Sequence, residues 1–330
     1  MTLPPEFISL SQKIGAQPLL VQGPGGNTSI KIDGQMWIKA SGTELAEAFE
    51  RNIFVAVDPA KAKQELDGVG DGSCRSALID PKCGLRPSIE TTFHAMFDHK
   101  FVFHYHSVAT ICHAIAEEGR NALGEKLSGL RWVSAPYRKP GIPLSKAIRE
   151  AVGTQNIEVV VLNNHGIIIV GNAINEVRER IEDVEQRLDL PMLTDSKTDI
   201  SSNQYEGWTK VPEVSALATN PLLFQRATSG TYYPDHVVFL GPAMPTLSSS
   251  QLALLDPDEF PLPAVVVEGE GVYLKPDATP AQQAMLACIH NVLARIPEDW
   301  TLLPIGEEAE AELLNWDAEK YRQALAKRNG

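Results

Sequence analysis

Apolar and polar positions alternate most clearly from Ile30 to Lys39, where two period-two runs are interrupted by Asp33-Gly34. That pattern predicts a β-hairpin with a two-residue turn. It is entered through Gly23-Pro24-Gly25-Gly26-Asn27-Thr28-Ser29, a glycine loop. A helical stretch is expected over 44–51, a strand over 54–57 and a mobile Gly- and Asp-rich loop over 67–84. Pro87 and Ser88 then open a helix, with Ser88 as its cap and Phe93 and Phe97 at helical spacing. Residues 101–106 read as a strand feeding a helix over 108–118, and 144–152 as a short helix. The continuous apolar run 157–162 is a buried strand, and 167–170 returns from a turn at Asn163-Asn164-His165-Gly166. A charged amphipathic helix over Ile174–Leu188 closes this part.

The pattern changes after Pro191. Residues 192–213 are polar and turn-rich, which divides the chain into 1–191 and a C-terminal extension, 192–330. The extension carries expected strands at 237–240, 264–268 and 272–275, the last two paired, and helices at 280–294 and 308–327. No internal repeat is visible.

Composition narrows the function. With 43% apolar and 22% charged residues in 330, the chain builds a sizeable core. A net charge of −13 without a basic patch argues against nucleic acid and anionic membranes as partners. No apolar run approaches the about 18 residues of a membrane span, and residues 1–10 lack a basic segment ahead of an apolar one, so a cytoplasmic protein is expected. Cys74, Cys83, Cys112 and Cys288 form neither a CxxC pair nor a dense framework, and read as ordinary thiols.

The candidate chemistry lies at His104-Tyr105-His106. Residues i and i+2 of a strand project from one face, so both imidazoles can reach a single metal ion. His165 ends a second buried strand in the same half, and three histidines would leave a coordination position open, as catalytic sites do. The alternative is that these are satisfied core or loop histidines. Glu90, at the start of a nearby helix, is a ligand or a carboxylate base beside the metal.

In order along residues 20–190, these elements resemble the class II aldolase/adducin family. Gly26-Asn27-Thr28-Ser29 is similar to the family's phosphate loop, Ser41-Gly42 to its second phosphate-contacting turn, and Ser88-Ile89-Glu90 to the segment bearing its catalytic carboxylate. His104 and His106 fall on its HxH pair and His165-Gly166 on its third-ligand motif. Any one motif is weak evidence, whereas five in order are specific.

The resemblance implies an α/β/α sandwich around a largely antiparallel central sheet. It implies a divalent metal, Zn2+ first, held by His104, His106 and His165, with Glu90 catalytic. Gly26, Asn27, Ser29, Lys39, Ser41, Gly42 and Ser88 would bind the phosphate of a small sugar phosphate. It also implies a homo-oligomer, a tetramer by analogy. The chemistry would be cleavage of a phosphorylated ketose to dihydroxyacetone phosphate and an aldehyde through an enediolate, which a Lewis-acid ion stabilises.

Several residues depart from the pattern. Ile89 stands where many members have a second serine, and Lys31 and Lys39 where others carry arginine and threonine. Two lysines would favour an anion. The tyrosine that some aldolases place about twenty residues after the HxH is missing from Ala122-Leu123-Gly124-Glu125-Lys126, and Tyr137 is a weak substitute. His94 reads as a core histidine or a support behind the site, and His113 and His236 as structural. The motif style is nearest the aldolase half of fusions with a short-chain dehydrogenase, but no GxGxxG turn follows a strand here. A sugar-phosphate 4-epimerase or a dehydratase would use the same constellation. An adducin-like interaction domain would dispense with the metal ligands, and a Schiff-base aldolase would use Lys39.

Overall fold

Asp33 and Gly34 both take left-handed φ angles, +51° and +75°, and close the expected hairpin in the computed structural model of the protein, which describes residues 3–193 and 203–317. Strand β1 (Asn27–Ile32) pairs with β2 (Gln35–Lys39), Ile32 lying opposite Gln35. Five further strands extend the hairpin: β3 (Phe54–Val57), β4 (Phe101–Tyr105), β5 (Trp132–Ala135), β6 (Val159–Leu162) and β7 (Gly166–Gly171). The order is β3-β2-β1-β4-β7-β6-β5, antiparallel throughout except between β5 and β6.

Seven helices accompany this sheet: α1 (Pro5–Gly15), α2 (Pro59–Leu66), α3 (Thr91–Met96), α4 (Val108–Ala114), α5 (Glu117–Lys126), α6 (Ile142–Val152) and α7 (Ile174–Leu188). The side-chain alternation of β4 shows how they divide. Phe101, Phe103 and Tyr105 share one core with Phe7 and Leu10 of α1 and Val177 and Ile181 of α7. Val102 points the other way, into a core with Phe93, Leu144 and Ile148 of α3 and α6. Both faces are therefore covered by helices, giving the expected α/β/α sandwich around a largely antiparallel sheet. Each large side chain buried in these cores contributes about 1.5–3 kcal/mol.

Local differences from the expected elements have physical causes. The segment 44–51 forms only a short 3-10 turn, Leu45–Glu47. Helix α3 begins at Thr91 rather than at Ser88, because the Ser88 hydroxyl accepts the Glu90 N–H two residues on and shapes a turn. The helix expected over 108–118 breaks after Ala114, and Ala116 pairs instead with Leu302. The loop 67–84 is tied down by Glu65, whose carboxylate accepts the Cys74 N–H and the Ser76 hydroxyl.

The chain forms two compact units, Met1–Ala114 with Asn121–Asp189, and Ile115–Arg120 with Leu190–Gly330. In the second, β8 (Thr209–Lys210), β9 (Ala264–Val267) and β10 (Gly271–Leu274) make a small antiparallel sheet of order β8-β10-β9, packed with Trp208 and Leu252. Helices α8 (Ala216–Thr219), α9 (Pro221–Thr228), α10 (Pro234–Leu240), α11 (Ser249–Leu252), α12 (Pro280–Leu293) and α13 (Glu307–Leu314) complete it. The strand expected at 237–240 is the end of α10. Its apolar run suits a buried helix equally well, and Pro234 at the first turn with Gly241 (φ +89°) after the last decides for the helix. Residues 194–202 of the expected linker and 318–327 of the expected last helix lie outside the described residues. Among the described residues no helix is long and apolar enough to cross a membrane.

Candidate functional site

Gly166 lies where β7 closes on β4. A Cβ there would sit 2.5 Å from the Tyr105 carbonyl oxygen, so only glycine lets the two strand ends approach this closely. Asn164, with a left-handed φ of +55°, turns the chain just before it and delivers His165 beside His106. His104, one residue from the end of β4, lies between Asn27 of β1 and Ile168 of β7.

The three imidazole rings are nearly equidistant, with centroids 5.0, 5.0 and 5.1 Å apart. All three side chains are buried, and one nitrogen from each falls within 4.8 Å of the others. His104 Nδ1 lies 3.0 Å from the Ile167 carbonyl, which fixes its proton there and turns the Nε2 lone pair inward. Two nitrogens on one tetrahedral ion with bonds of about 2.0–2.1 Å stand about 3.4 Å apart. The Nε2 atoms of His104 and His106 are 3.2 Å apart. The donor set therefore fits a divalent ion.

Glu90 occupies the position before α3, and its carboxylate enters the same space: Oε2 is 3.4 Å from His104 Nε2, and Oε1 is 3.6 Å from His165 Nε2. Oε1 is buried without a hydrogen-bond donor, as expected of an atom facing a cation or a substrate. Burial by itself would raise the carboxyl. The imidazoles of His104 and His165, the Asn27 amide and His106 outweigh it and hold the group below the usual carboxylate range.

The loops expected to bind phosphate converge on this carboxylate. Asn27 donates Nδ2 to Glu90 Oε2 at 2.7 Å and to Ser88 Oγ at 3.3 Å. Gly26 (φ +61°) passes 2.9 Å from the His104 carbonyl as measured from a Cβ placed on it, and Gly42 also has a left-handed φ, +75°. The Ser41 N–H is held by the Arg86 carbonyl at 2.9 Å, which joins the second turn to the segment bearing Ser88 and Glu90.

Ser29 and Lys39, also expected to bind phosphate, are engaged by buried groups of the protein. The Ser29 hydroxyl is fully buried against His94 Nδ1 at 2.8 Å. Lys39, 2% exposed, donates Nζ to the carbonyls of Pro24, at 2.9 Å, and Thr43, at 2.5 Å, so it staples the two glycine turns together. Lys31 likewise donates to the carbonyls of His94 and His99, and burial pushes its ammonium down to about 8. His94 is placed directly behind Asn27, in keeping with its reading as a core histidine or a support behind the site. Its offset of four residues from Glu90, one helical turn, is the sequence signal for this placement. The four cysteines are free thiols.

Comparison with known proteins agrees with this arrangement. A family model for the class II aldolase and adducin N-terminal domain matches residues 6–190, more than half of the chain. The uncharacterized oxidoreductase YuxG of Bacillus subtilis is 33% identical over 181 residues, covering 50% of this chain but 26% of that protein, so the chain spans about a quarter of that relative's length. The L-fuculose phosphate aldolase of Methanocaldococcus jannaschii is 24% identical over 195 residues, covering 57% of this chain and 94% of that protein. The solved N-terminal class II aldolase domain of a conserved protein from Thermoplasma acidophilum superposes with a TM-score of 0.50 at 25% identity, over 57% of this chain and 92% of that one. With the sheet order, the histidine triad and the carboxylate in place, the family match over residues 6–190 is conclusive: the chain belongs to the class II aldolase/adducin family.

Proposed function

We propose that the protein is a metal-dependent carbon–carbon lyase that splits a small phosphorylated ketose into dihydroxyacetone phosphate and an aldehyde. The observation that carries this reading is one buried carboxylate, Glu90, set against two of three convergent imidazoles. A divalent ion, with zinc the simplest match to three imidazole donors, supplies Lewis-acid stabilisation of the negative charge that develops on the ketose oxygens.

The remaining work belongs to side chains. His104, His106 and His165 present nitrogen donors to one point, and the Ile167 carbonyl keeps His104 in the required tautomer. Glu90 handles the proton. On cleavage the C4 hydroxyl loses a proton as it becomes the aldehyde, the C3–C4 electron pair stays with the ketone fragment, and C3 takes up a proton. Loss and gain balance, so one carboxylate cycling between its two forms serves both transfers. Gly26, Asn27, Ser41, Gly42 and Ser88 form the proposed phosphate cradle through backbone amides and hydroxyls. Ser29 and Lys39 hold that cradle from beneath, as their buried partners indicate. The relative named for fuculose phosphate supports a phosphorylated sugar as substrate.

The test is metal stoichiometry measured together with a retro-aldol assay across ketose 1-phosphates, with 4-epimerase substrates run alongside. Release of dihydroxyacetone phosphate by the metal-loaded protein is expected. Turnover of a ketopentose 5-phosphate without cleavage would replace the lyase by an epimerase.

A further inference from the structure

His94 is a fully buried imidazole one helical turn beyond Glu90, stacked on Phe93 with ring centroids 4.7 Å apart. It is not one of the three converging metal donors. Both of its ring nitrogens are engaged: Nδ1 lies 2.8 Å from the Ser29 hydroxyl, and Nε2 faces the side-chain oxygen of Asn27. Asn27 in turn donates Nδ2 to Glu90 Oε2 at 2.7 Å. Glu90, Asn27, His94 and Ser29 thus form one buried chain.

The hydrogens along this chain have a single consistent placement. A carboxylate only accepts, so Asn27 must turn its amide nitrogen to Glu90 and its oxygen to His94. That oxygen needs a donor, which puts the His94 proton on Nε2. Nδ1 is then an acceptor, and the Ser29 hydroxyl donates to it. The ring stays neutral because burial, then the neighbouring His104 and Lys31, hold its pKa well below the ordinary histidine value.

We propose that His94 is a positioning residue, a neutral Nε2–H imidazole set by Ser29, which orients the Asn27 amide and through it aims the Glu90 carboxylate. The proposal rests on the reading of Glu90 as the proton carrier. It explains why Ser29 is buried in the sheet instead of lining the cradle, and why a polar chain of four residues is kept inside a core where unpaired groups are costly.

The first test reads the tautomer directly, by 15N imidazole spectra of the full-length protein. The expected result is a neutral His94 protonated on Nε2 between pH 6 and 8, with its signals displaced in Glu90→Gln. An Nδ1–H tautomer would reverse Asn27 and overturn the proposal, whatever reaction the protein catalyses.

The second test is a double-mutant cycle on turnover with the substrate found to react. His94→Phe keeps the stacking but removes both hydrogen bonds, and is expected to lower kcat by about 10–100-fold with KM little changed. His94→Gln restores an amide donor toward Asn27 and should recover most of the loss. In the Glu90→Gln background His94→Phe should cost little more, because its effect runs through that carboxylate. Equal costs in both backgrounds would mean that His94 serves only the core. If no sugar phosphate turns over, the reading of Glu90 fails, while the tautomer measurement still decides how Asn27 is held.

Discussion

At Gly166 one methyl group decides whether the three histidines proposed as metal ligands meet. A Cβ placed there stands 2.5 Å from the Tyr105 carbonyl and 3.3 Å from His106 Cα, with backbone on the colliding side. Gly166→Ala is therefore expected to part β7 from β4, cost about 1–3 kcal/mol in urea unfolding, and weaken metal affinity by about 10–100-fold in a chelator competition. Affinity equal to wild type would mean that the histidines tolerate separation of the strands. For Glu90→Gln, shape and hydrogen-bonding reach are kept but the proton acceptor is lost. Metal content should stay near wild type while kcat falls by about 10²–10⁴. Loss of metal with activity would make Glu90 a permanent ligand, and retention of both would make it a structural residue. The HxH pair was legible in the sequence from strand geometry alone, and the His-Gly pair and the Ser-x-Glu segment through their likeness to the family's motifs. The engagement of Ser29 was not, since its partner His94 lies 65 residues away.

Among the elements, the two glycine turns depend on Lys39, whose buried ammonium reaches the carbonyls of Pro24 and Thr43. Lys39→Met fills similar space but leaves those two acceptors unmet. A stability loss of about 1–3 kcal/mol per orphaned carbonyl is expected, together with weaker inhibition by inorganic phosphate as the turns part. Weaker phosphate inhibition with unchanged stability would instead make Lys39 a direct anion ligand. Local patterning carried the hairpin, whose Asp-Gly turn and alternation agree, and α7, whose apolar stripe is long enough to be unambiguous. It could not place α10, where four buried apolar residues suit either element. Nor could it find the break after Ala114, where Ala116 is claimed by a strand-like partner, Leu302.

On the scale of the whole molecule, buried imidazoles make stability depend on pH. In the second unit His236 is fully buried and His290 nearly so, and burial pushes their pKa values down to about 3 and about 4. Both are depressed below the unfolded value of about 6.5, so the unfolded chain binds the extra protons as pH falls. Stability is full above pH 6.5 and is lost progressively below it. At pH 5 each neutral histidine costs about 2 kcal/mol relative to neutral pH. Hydrogen exchange, corrected for intrinsic rates, should show α10 and α12 opening more readily at pH 5 than at pH 7, and His236→Phe should remove about half of that difference. Protection independent of pH over this range would mean that the native unit accommodates the charges.

The sequence by itself determined the hairpin, most of the strands and the residue types of the site, because strand periodicity, turn chemistry and ligand spacing act over a few residues, and its likeness to the family implied the sandwich. Only the tertiary structure decided which of those side chains face one another. Asn27, Glu90, His104 and His165 come from four separate segments, and what joins them is the placement of β4 between β1 and β7. The division between a buried atom without a hydrogen-bond donor, Glu90 Oε1, and groups satisfied within the protein, such as Lys39 and Ser29, follows from packing at long range. A buried polar atom must find its partner wherever the fold brings one.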